Sequence, residues 1–460
     1  MSYDSVIFRE YDIRGIFEQQ FDLDFAYNLG KAYATYHNKK LNINTPTVTV
    51  GYDARLSSPD IFKSITKGLN DSGFNVLDLG LVTTPISYYS TFTIENVSGS
   101  IMITGSHNPP DYNGFKICLG KSTIFGSEIQ ELLKIIKAND YLKPTQFGKT
   151  MKHDIFPHYV ERYKREFANI NKNINVVLDC GNGAAGCIIK KLFTAIGLNP
   201  IILFEQPDGK FPNHHPDPTV EKNLTHLKDS VKQNKSVVGI GFDGDADRIG
   251  IIDHNGKMIF GDELMTIIAR DIIKTTPQAK IIGDVKCSDR MYNDIDQRGG
   301  NSILWKTGHS LIKEKIKVEK APFGGEMSGH IFFADRNYGY DDAIYAALRL
   351  IEIISKTNKT IPELLEGLPP SFSTPELRID TTEEKKVIIV QKLIEKFKEN
   401  KDPNISVNML DGIRVSYKDG WALARASNTQ PVLVLRFEAQ SEARLIEIQN
   451  EFDLIVKKFI

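Results

Sequence analysis

Most residues whose types and spacing could do chemistry lie in four short polar loops, each next to an apolar run. The first is Thr104-Gly105-Ser106-His107-Asn108-Pro109-Pro110, reached from the apolar run 99–103. The two prolines stop any helix, and Gly105 is expected to supply the unusual dihedrals of a sharp turn. That would hold the Ser106 hydroxyl at the C-terminal end of a strand, where open α/β sheets bind ligands. His107 is a neighbouring donor, and Lys116 is a cation a few residues on. A nucleophilic, phosphoryl-carrying serine fits this placement, and so does an Asn-Pro turn with an exposed serine. The stretch is not G-x-S-x-G, which argues against a hydrolase elbow.

The second loop is Asp243-Gly244-Asp245-Ala246-Asp247-Arg248, directly after the apolar run 237–242. In extended backbone alternate side chains share a direction, so the three aspartates are expected to converge. Three carboxylates in one place repel unless a cation lies between them, and all-oxygen ligands suit Mg²⁺ or Ca²⁺ better than zinc. By the same logic Asp245→Asn is expected to ease the repulsion in metal-free protein. An EF-hand would need Gly at its sixth position and Glu at its twelfth. Arg248 and His254 stand there instead. Arg248 suits a phosphate lying between it and the metal.

The third loop, Gly324-Gly325-Glu326-Met327-Ser328-Gly329-His330, sets Glu326 and Ser328 where both could reach sugar hydroxyls, with His330 as a proton-transfer group. The fourth, Arg425-Ala426-Ser427-Asn428-Thr429-Gln430-Pro431, offers an arginine and short donors suited to a phosphate dianion. A glycine turn and a polar hairpin are the plain alternatives for these two. A fifth stretch, Gly181-Asn182-Gly183-Ala184-Ala185-Gly186, matches G-x-G-x-x-G, with Glu205 near the end of the next strand. It makes an NAD-dependent oxidoreductase the rival from another class, although a tight strand–helix turn uses glycines in the same way.

Apolar, β-branched runs at 47–52, 75–79, 99–104, 175–179, 200–204, 236–242, 281–285 and 302–305 alternate with helix-like segments at 58–72, 127–137, 184–196 and 261–275. This alternation predicts α/β layers with mainly parallel sheets. The pattern restarts near 47, 175 and 280, which predicts a repeated α/β unit. After the turn-rich 371–375, strands at 376–380, 411–416, 421–426 and 432–439 with helices at 383–400 and 441–459 predict a smaller α+β domain. The expected domains are 1–150, 151–255, 256–366 and 367–460, and each carries one of the four loops.

At 460 residues the chain exceeds the roughly 250–300 at which single cores stop growing. The net charge of −1, from 57 basic and 58 acidic residues, argues against nucleic acid or an anionic membrane as main partner. Cys118, Cys180, Cys187 and Cys287 form no C-x-x-C or zinc spacing, so buried reduced thiols are expected. The N-terminal residues carry no signal-like segment, and no apolar run reaches the roughly 20 residues that span a bilayer. A cytoplasmic location is therefore expected, with the sequons at Asn96, Asn223, Asn358 and Asn404 as chance matches.

Taken together, Thr104–Pro110, 243–248, 325–330 and 425–429, with 8–15 and 211–216, resemble in order and spacing the motifs of the α-D-phosphohexomutases over essentially the whole chain. The resemblance implies three similar α/β domains with mixed sheets and a smaller C-terminal α+β domain around a central cleft. It implies reversible transfer between hexose 6-phosphate and hexose 1-phosphate through phosphoserine 106 and a hexose 1,6-bisphosphate. In that scheme Ser106 and Asp243, Asp245 and Asp247 hold Mg²⁺, and Arg14, His107, Lys116 and His330 serve proton transfer and charge. Tyr11, Arg248, Lys286, His309, Glu326 and Ser328 contact substrate, and Arg425, Ser427, Asn428 and Thr429 grip the non-reacting phosphate. Glu326-Met327-Ser328 resembles the mannose/glucose branch; a phosphoglucosamine mutase, with Gln in place of Met327, is the near alternative, and a non-catalytic sugar-phosphate binder a distant one. The implied partners are small sugar phosphates, with the protein a monomer or weak homodimer.

Overall fold

The computed structural model describes residues 3–400, 402–427 and 431–460. They form four sheets. The first has Thr47–Tyr52 parallel to both Asn75–Leu81 and Val97–Ile103, with Tyr112–Leu119 returning antiparallel beside Val97–Ile103. In the second, Val176–Asp179 lies parallel to Val238–Phe242, and Ile249–Asp253 returns antiparallel. In the third, Lys280–Asp284 lies parallel to Phe323–Gly325, and Ile331–Phe333 returns antiparallel. The fourth sheet is wholly antiparallel, with Gly420–Ala426 next to Val432–Ala439.

The three restarts in the sequence pattern are thus three copies of one arrangement. The expectation of mainly parallel sheets is corrected to mixed sheets. Each parallel-paired strand that carries a site loop turns back on itself, and the return strands 112–119, 249–253 and 331–333 were not singled out. Two of these returns lie in or beside the motifs, where polar residues and glycines obscure the strand pattern. All four polar loops therefore occupy the same place in their sheets, the hairpin between neighbouring antiparallel strands.

The second and third domains share one buried apolar cluster, which extends into helix Thr84–Thr93 of the first. The rest of the first domain and the C-terminal domain keep clusters of their own. Burying this much apolar surface, at roughly 25 cal/mol per Å², is the main force that holds the first three loops on one frame. Helix Ala343–Thr357 runs through the shared core and is capped by Asp342, which accepts from Tyr345 N at 2.9 Å. The C-terminal sheet docks on the third domain through Trp421, buried with Val285 and stacked under the Arg414 guanidinium at 3.8 Å. Cys118, Cys180 and Cys287 are buried, Cys187 is half-buried, and none is bonded to another. Among the described residues no helix is long and apolar enough to cross a membrane.

Candidate active site

Strand Val97–Ile103 delivers Ser106 at φ +49°, a left-handed conformation that costs a serine of order 1–3 kcal/mol. The expectation for Gly105 is corrected here: its φ lies outside the left-handed region, and Ser106 itself makes the sharp turn. Gly105 is small for another reason, since a Cβ there would lie 2.4 Å from Arg55 Cζ. Ser106 is buried, its N donates to Thr104 Oγ1 at 2.7 Å, and its Oγ donates to Asp243 Oδ2 at 3.0 Å. His107 Nδ1 lies 3.2 Å from the same Oγ.

Asp243, Asp245 and Asp247 are fully buried, and each offers an oxygen within 4.8 Å of the others. They converge for a different reason from the one expected. The loop is not extended; it is a tight turn with Ala246 at φ +60°, and Asp243 Oδ1 accepts from Asp247 N at 3.0 Å and Arg248 N at 3.1 Å. Lys116 supplies a fixed cation, with Nζ 2.7 Å from Asp245 Oδ2 and bonded also to Asp247 Oδ2. Thr84 Oγ1 donates to Asp245 Oδ2 at 2.6 Å. Burial, then Asp247 and Asp245, push the Asp243 carboxyl well above the usual range. Burial acts the same way on Asp247 and is the largest single influence, but the charges of Lys116, His330 and Arg248 together outweigh it and hold that carboxyl low. Burial would lower Lys116, and the charges of Asp245 and Asp247 raise it instead. The Oδ1 atoms of Asp245 and Asp247 are buried with no hydrogen-bond partner. Two orphaned hard oxygens beside a third carboxylate and a serine oxygen make a donor set that fits a hard divalent cation.

Behind this cluster, Arg248 Nε donates to His330 Nε2 at 2.9 Å, and His330 Nδ1 lies 3.1 Å from Asp341 Oδ2. His309 stacks on His330, with ring centroids 5.6 Å apart, and Lys313 pairs with Asp341 Oδ1 at 3.1 Å. Burial and then Lys313 depress the His309 imidazole well below its usual value. Tyr11 lies edge-on to His309 and donates to Thr307 O at 2.8 Å. Glu326 is buried, and its Oε1 accepts from Gly308 N at 2.5 Å; Ser328 is half-buried in the same hairpin. Arg14 pairs with Asp12 at 2.5 Å and acts electrostatically on His107 and Lys116.

The C-terminal domain closes the series. Asp411 Oδ2 accepts from Thr307 N and from Arg425 Nε, each at 3.0 Å. Lys286 pairs with Glu376 Oε2 at 3.2 Å, and Lys386 donates to Ser427 O at 2.6 Å. Lys286 first, against burial, holds the Glu376 carboxyl down at about 2. Asn428 and Thr429 lie outside the described residues. Contacts between named residues thus run from Ser106 through Lys116, His330, His309 and Tyr11 to Arg425. Asp53, Arg55, Asp341, Glu376 and Asp411 complete the set and were missed in the sequence. Each is a single charged residue in an ordinary local context; only the pair Asp341-Asp342, opening a helix, carried a visible signal.

The G-x-G-x-x-G stretch is filled by backbone. A Cβ on Gly183 would meet Gly244 O at 2.8 Å, and one on Gly186 would meet Glu205 O at 1.7 Å. Ala184 N donates to Gly244 O at 2.9 Å. Gly183 thus seats the aspartate loop, and Gly186 packs against the backbone at Glu205.

A mixed-sheet α/β unit used three times, with a serine loop, a carboxylate loop and a glycine-rich loop in equivalent hairpins, has a matching family. Models described as phosphoglucomutase/phosphomannomutase α/β/α domains I, II and III match residues 5–143, 157–256 and 260–372, and the C-terminal domain model matches 376–455. The chain belongs to the phosphoglucomutase/phosphomannomutase family. It is 45% identical to a phosphomannomutase/phosphoglucomutase of Pseudomonas putida, covering 97% of this chain and 94% of that one. It is 41% identical to a phosphoglucomutase of Neisseria gonorrhoeae, covering 98% and 96%. A solved family structure from Burkholderia thailandensis superposes with a TM-score of 0.90 at 39% identity, covering 99% of this chain and 98% of that one.

Proposed function

We propose that this protein interconverts hexose 6-phosphates and hexose 1-phosphates, of mannose and also of glucose, with Ser106 as the phosphoryl carrier. The observation that carries the reading is the placement of Ser106 Oγ, 3.0 Å from Asp243 within a buried trio of aspartates that keeps two oxygens free. The chain also aligns with its mannose/glucose-acting relatives over nearly its full length. Mg²⁺ held by Asp243, Asp245 and Asp247 beside the Ser106 oxygen would supply charge neutralisation for phosphoryl transfer.

In this reading the phosphoryl group leaves Ser106 Oγ for the free hydroxyl of the bound sugar phosphate, giving a hexose 1,6-bisphosphate. The sugar turns over in the cleft, and the other phosphoryl group returns to Ser106. Lys116, kept charged by its two aspartates, faces the negative charge that spreads in the transition state, and Arg14 and His107 assist it. His330 takes the proton of the attacking hydroxyl at Nε2, the atom that accepts from Arg248. Glu326 and Ser328 bind sugar hydroxyls, and Tyr11, Arg248, Lys286 and His309 contact the substrate. Arg425, Ser427, Asn428 and Thr429 hold the non-reacting phosphate. One loop comes from each of four domains, with borders near 150, 255 and 366. The protein acts in the cytoplasm as a monomer or weak homodimer.

The test is a parallel assay of mannose, glucose and glucosamine 1-phosphates with a hexose 1,6-bisphosphate activator, together with intact-protein mass. We expect turnover of mannose and glucose phosphates and one phosphate on the protein that is absent in Ser106→Ala. Turnover of glucosamine phosphate alone would replace this reading with the phosphoglucosamine one.

A further inference from the structure

Arg55 has no exposed side-chain surface, and all five of its N–H groups have acceptors. Nε donates to Asp53 Oδ2 at 3.2 Å. Nη1 donates to Tyr112 O at 2.8 Å and to Pro109 O, and Nη2 to Ser106 O at 2.8 Å and Asn108 O at 2.6 Å. Four of the five acceptors are therefore backbone carbonyls of the hairpin that carries Ser106, three in its loop and the fourth, Tyr112 O, at the start of the return strand. Asp53 grips the same loop from its start, accepting from Thr104 Oγ1 at 2.8 Å and Gly105 N at 3.2 Å. A planar fork of five donors can span four carbonyls at once, which the single ammonium of a lysine cannot.

The clamp also faces the second domain. The Phe211 ring lies 5.5 Å from the guanidinium, and a Cβ on Gly209 would come within 2.6 Å of Ala54 O. The carbonyl of Ser106 that Arg55 holds is the one a Cβ on Gly244 would strike at 2.4 Å. The same oxygen thus fixes Ser106 from below and abuts the aspartate loop from above. Ser106 holds its left-handed φ only because its surroundings over-determine it.

We infer that Arg55 is a positioning residue for phosphoryl transfer: through four carbonyls of the hairpin it sets Ser106 Oγ against Asp243. The inference rests on the mutase reading for its kinetic consequence only. The experiment compares wild type, Arg55→Lys and Gly105→Ala as full-length protein. It measures kcat and KM on mannose 1-phosphate, and hydrogen–deuterium exchange across residues 104–112. Arg55→Lys keeps the charge and loses the fork; Gly105→Ala keeps Arg55 and pushes its guanidinium aside. We expect kcat to fall about 10²-fold, as for misplacement of a reacting group by about 1 Å, with KM near wild type. Exchange should accelerate in 104–112 and stay unchanged in the C-terminal domain. In Arg55→Ala, added methylguanidinium should restore part of kcat and methylammonium should not. Unchanged exchange in 104–112, or a folded Arg55→Lys with wild-type kcat, would overturn the inference. A variant that unfolds globally, with faster exchange in every domain, would also overturn it, because a positioning role predicts local loosening. An inactive wild type would overturn the functional reading while the exchange comparison still judges the clamp.

Discussion

Among the described residues Lys116 is the one side-chain cation hydrogen-bonded to two of Asp243, Asp245 and Asp247, so replacing it with methionine should expose how much the acidic cluster depends on it. The side chain is 3% exposed, and its ammonium lies 2.7 Å from Asp245 Oδ2. At an effective dielectric of about 20, a unit pair at that distance is worth about 6 kcal/mol before desolvation. Net of desolvation, removing one partner of a buried pair costs about 3–5 kcal/mol. Methionine roughly fills the volume, so the loss is electrostatic rather than a cavity effect. We expect Lys116→Met in EDTA to lose about that much stability at neutral pH. The loss should shrink in acid. Asp247, held low by Lys116 in the wild type, contributes stability that is present above the unfolded carboxyl value and lost as pH falls through its depressed folded value. Without the ammonium the Lys116 share of that contribution is gone at neutral pH, and protonation below about pH 4 leaves little to lose. Mg²⁺ should take over the missing charge, so its stabilising effect should be larger in the variant than in the wild type. The assay is calorimetric melting of both proteins in EDTA and in Mg²⁺ at neutral and acid pH, comparing the first transition, since a four-domain chain has no single unfolding free energy. Equal melting of the two proteins in EDTA, or an equal Mg²⁺ shift in both, would refute the reasoning.

Asp243→Asn and Asp245→Asn should part company. Both should abolish turnover, but metal-free Asp243→Asn should melt no lower than wild type, because the Asp243 carboxyl is pushed up by burial and its ionisation costs stability as pH rises through that value. Metal-free Asp245→Asn should melt lower, since it breaks the pair with Lys116, which reverses the relief expected from repulsion alone. His214→Gln should lose stability mainly in mildly acid solution. Burial lowers the imidazole, but the Asp179 bond at 3.1 Å, the Asp179 charge and the His215 carbonyl together raise it by more, so its contribution is full below the unfolded value near 6.5 and fades as pH rises past the elevated folded one. Urea midpoints that differ equally at all pH values would contradict this. Gly183→Ala should strongly reduce mutase turnover, because its Cβ presses on Gly244 O, and fluorescence titration should show no NAD binding by either protein.

The contiguous motifs were legible because strand, turn and chemistry sit within a few residues, so Ser106 and the aspartates point to themselves. Strand positions such as Thr47–Tyr52 and Val432–Ala439 were legible to the residue because their burial calls for mostly apolar side chains, and the helix Gly261–Thr275 because its apolar residues recur on one face. The convergence of the aspartates was foreseen for the wrong backbone, because alternation looks the same in an extended strand and in a turn closed by Ala246. Arg55 was illegible for a different reason. Its four carbonyl partners lie 51–57 residues away and are backbone atoms, which no side-chain pattern records.

The placement of charge divides the site into two halves with different duties. In the half built by the first two domains, Arg55 and Lys116 face carboxylates that are at most 1% exposed. Those ion pairs are dry and fixed, which suits a reacting oxygen that must stay within fractions of an ångström of its partners. In the half built by the last two domains, Lys286 and Arg425 pair with Glu376 and Asp411, whose side chains are 24% and 13% exposed. Water can reach those carboxylates, so a phosphate dianion can replace them on the cations without leaving a buried charge unpaired. A reaction that must keep one serine still while presenting either end of a sugar to it calls for this asymmetry.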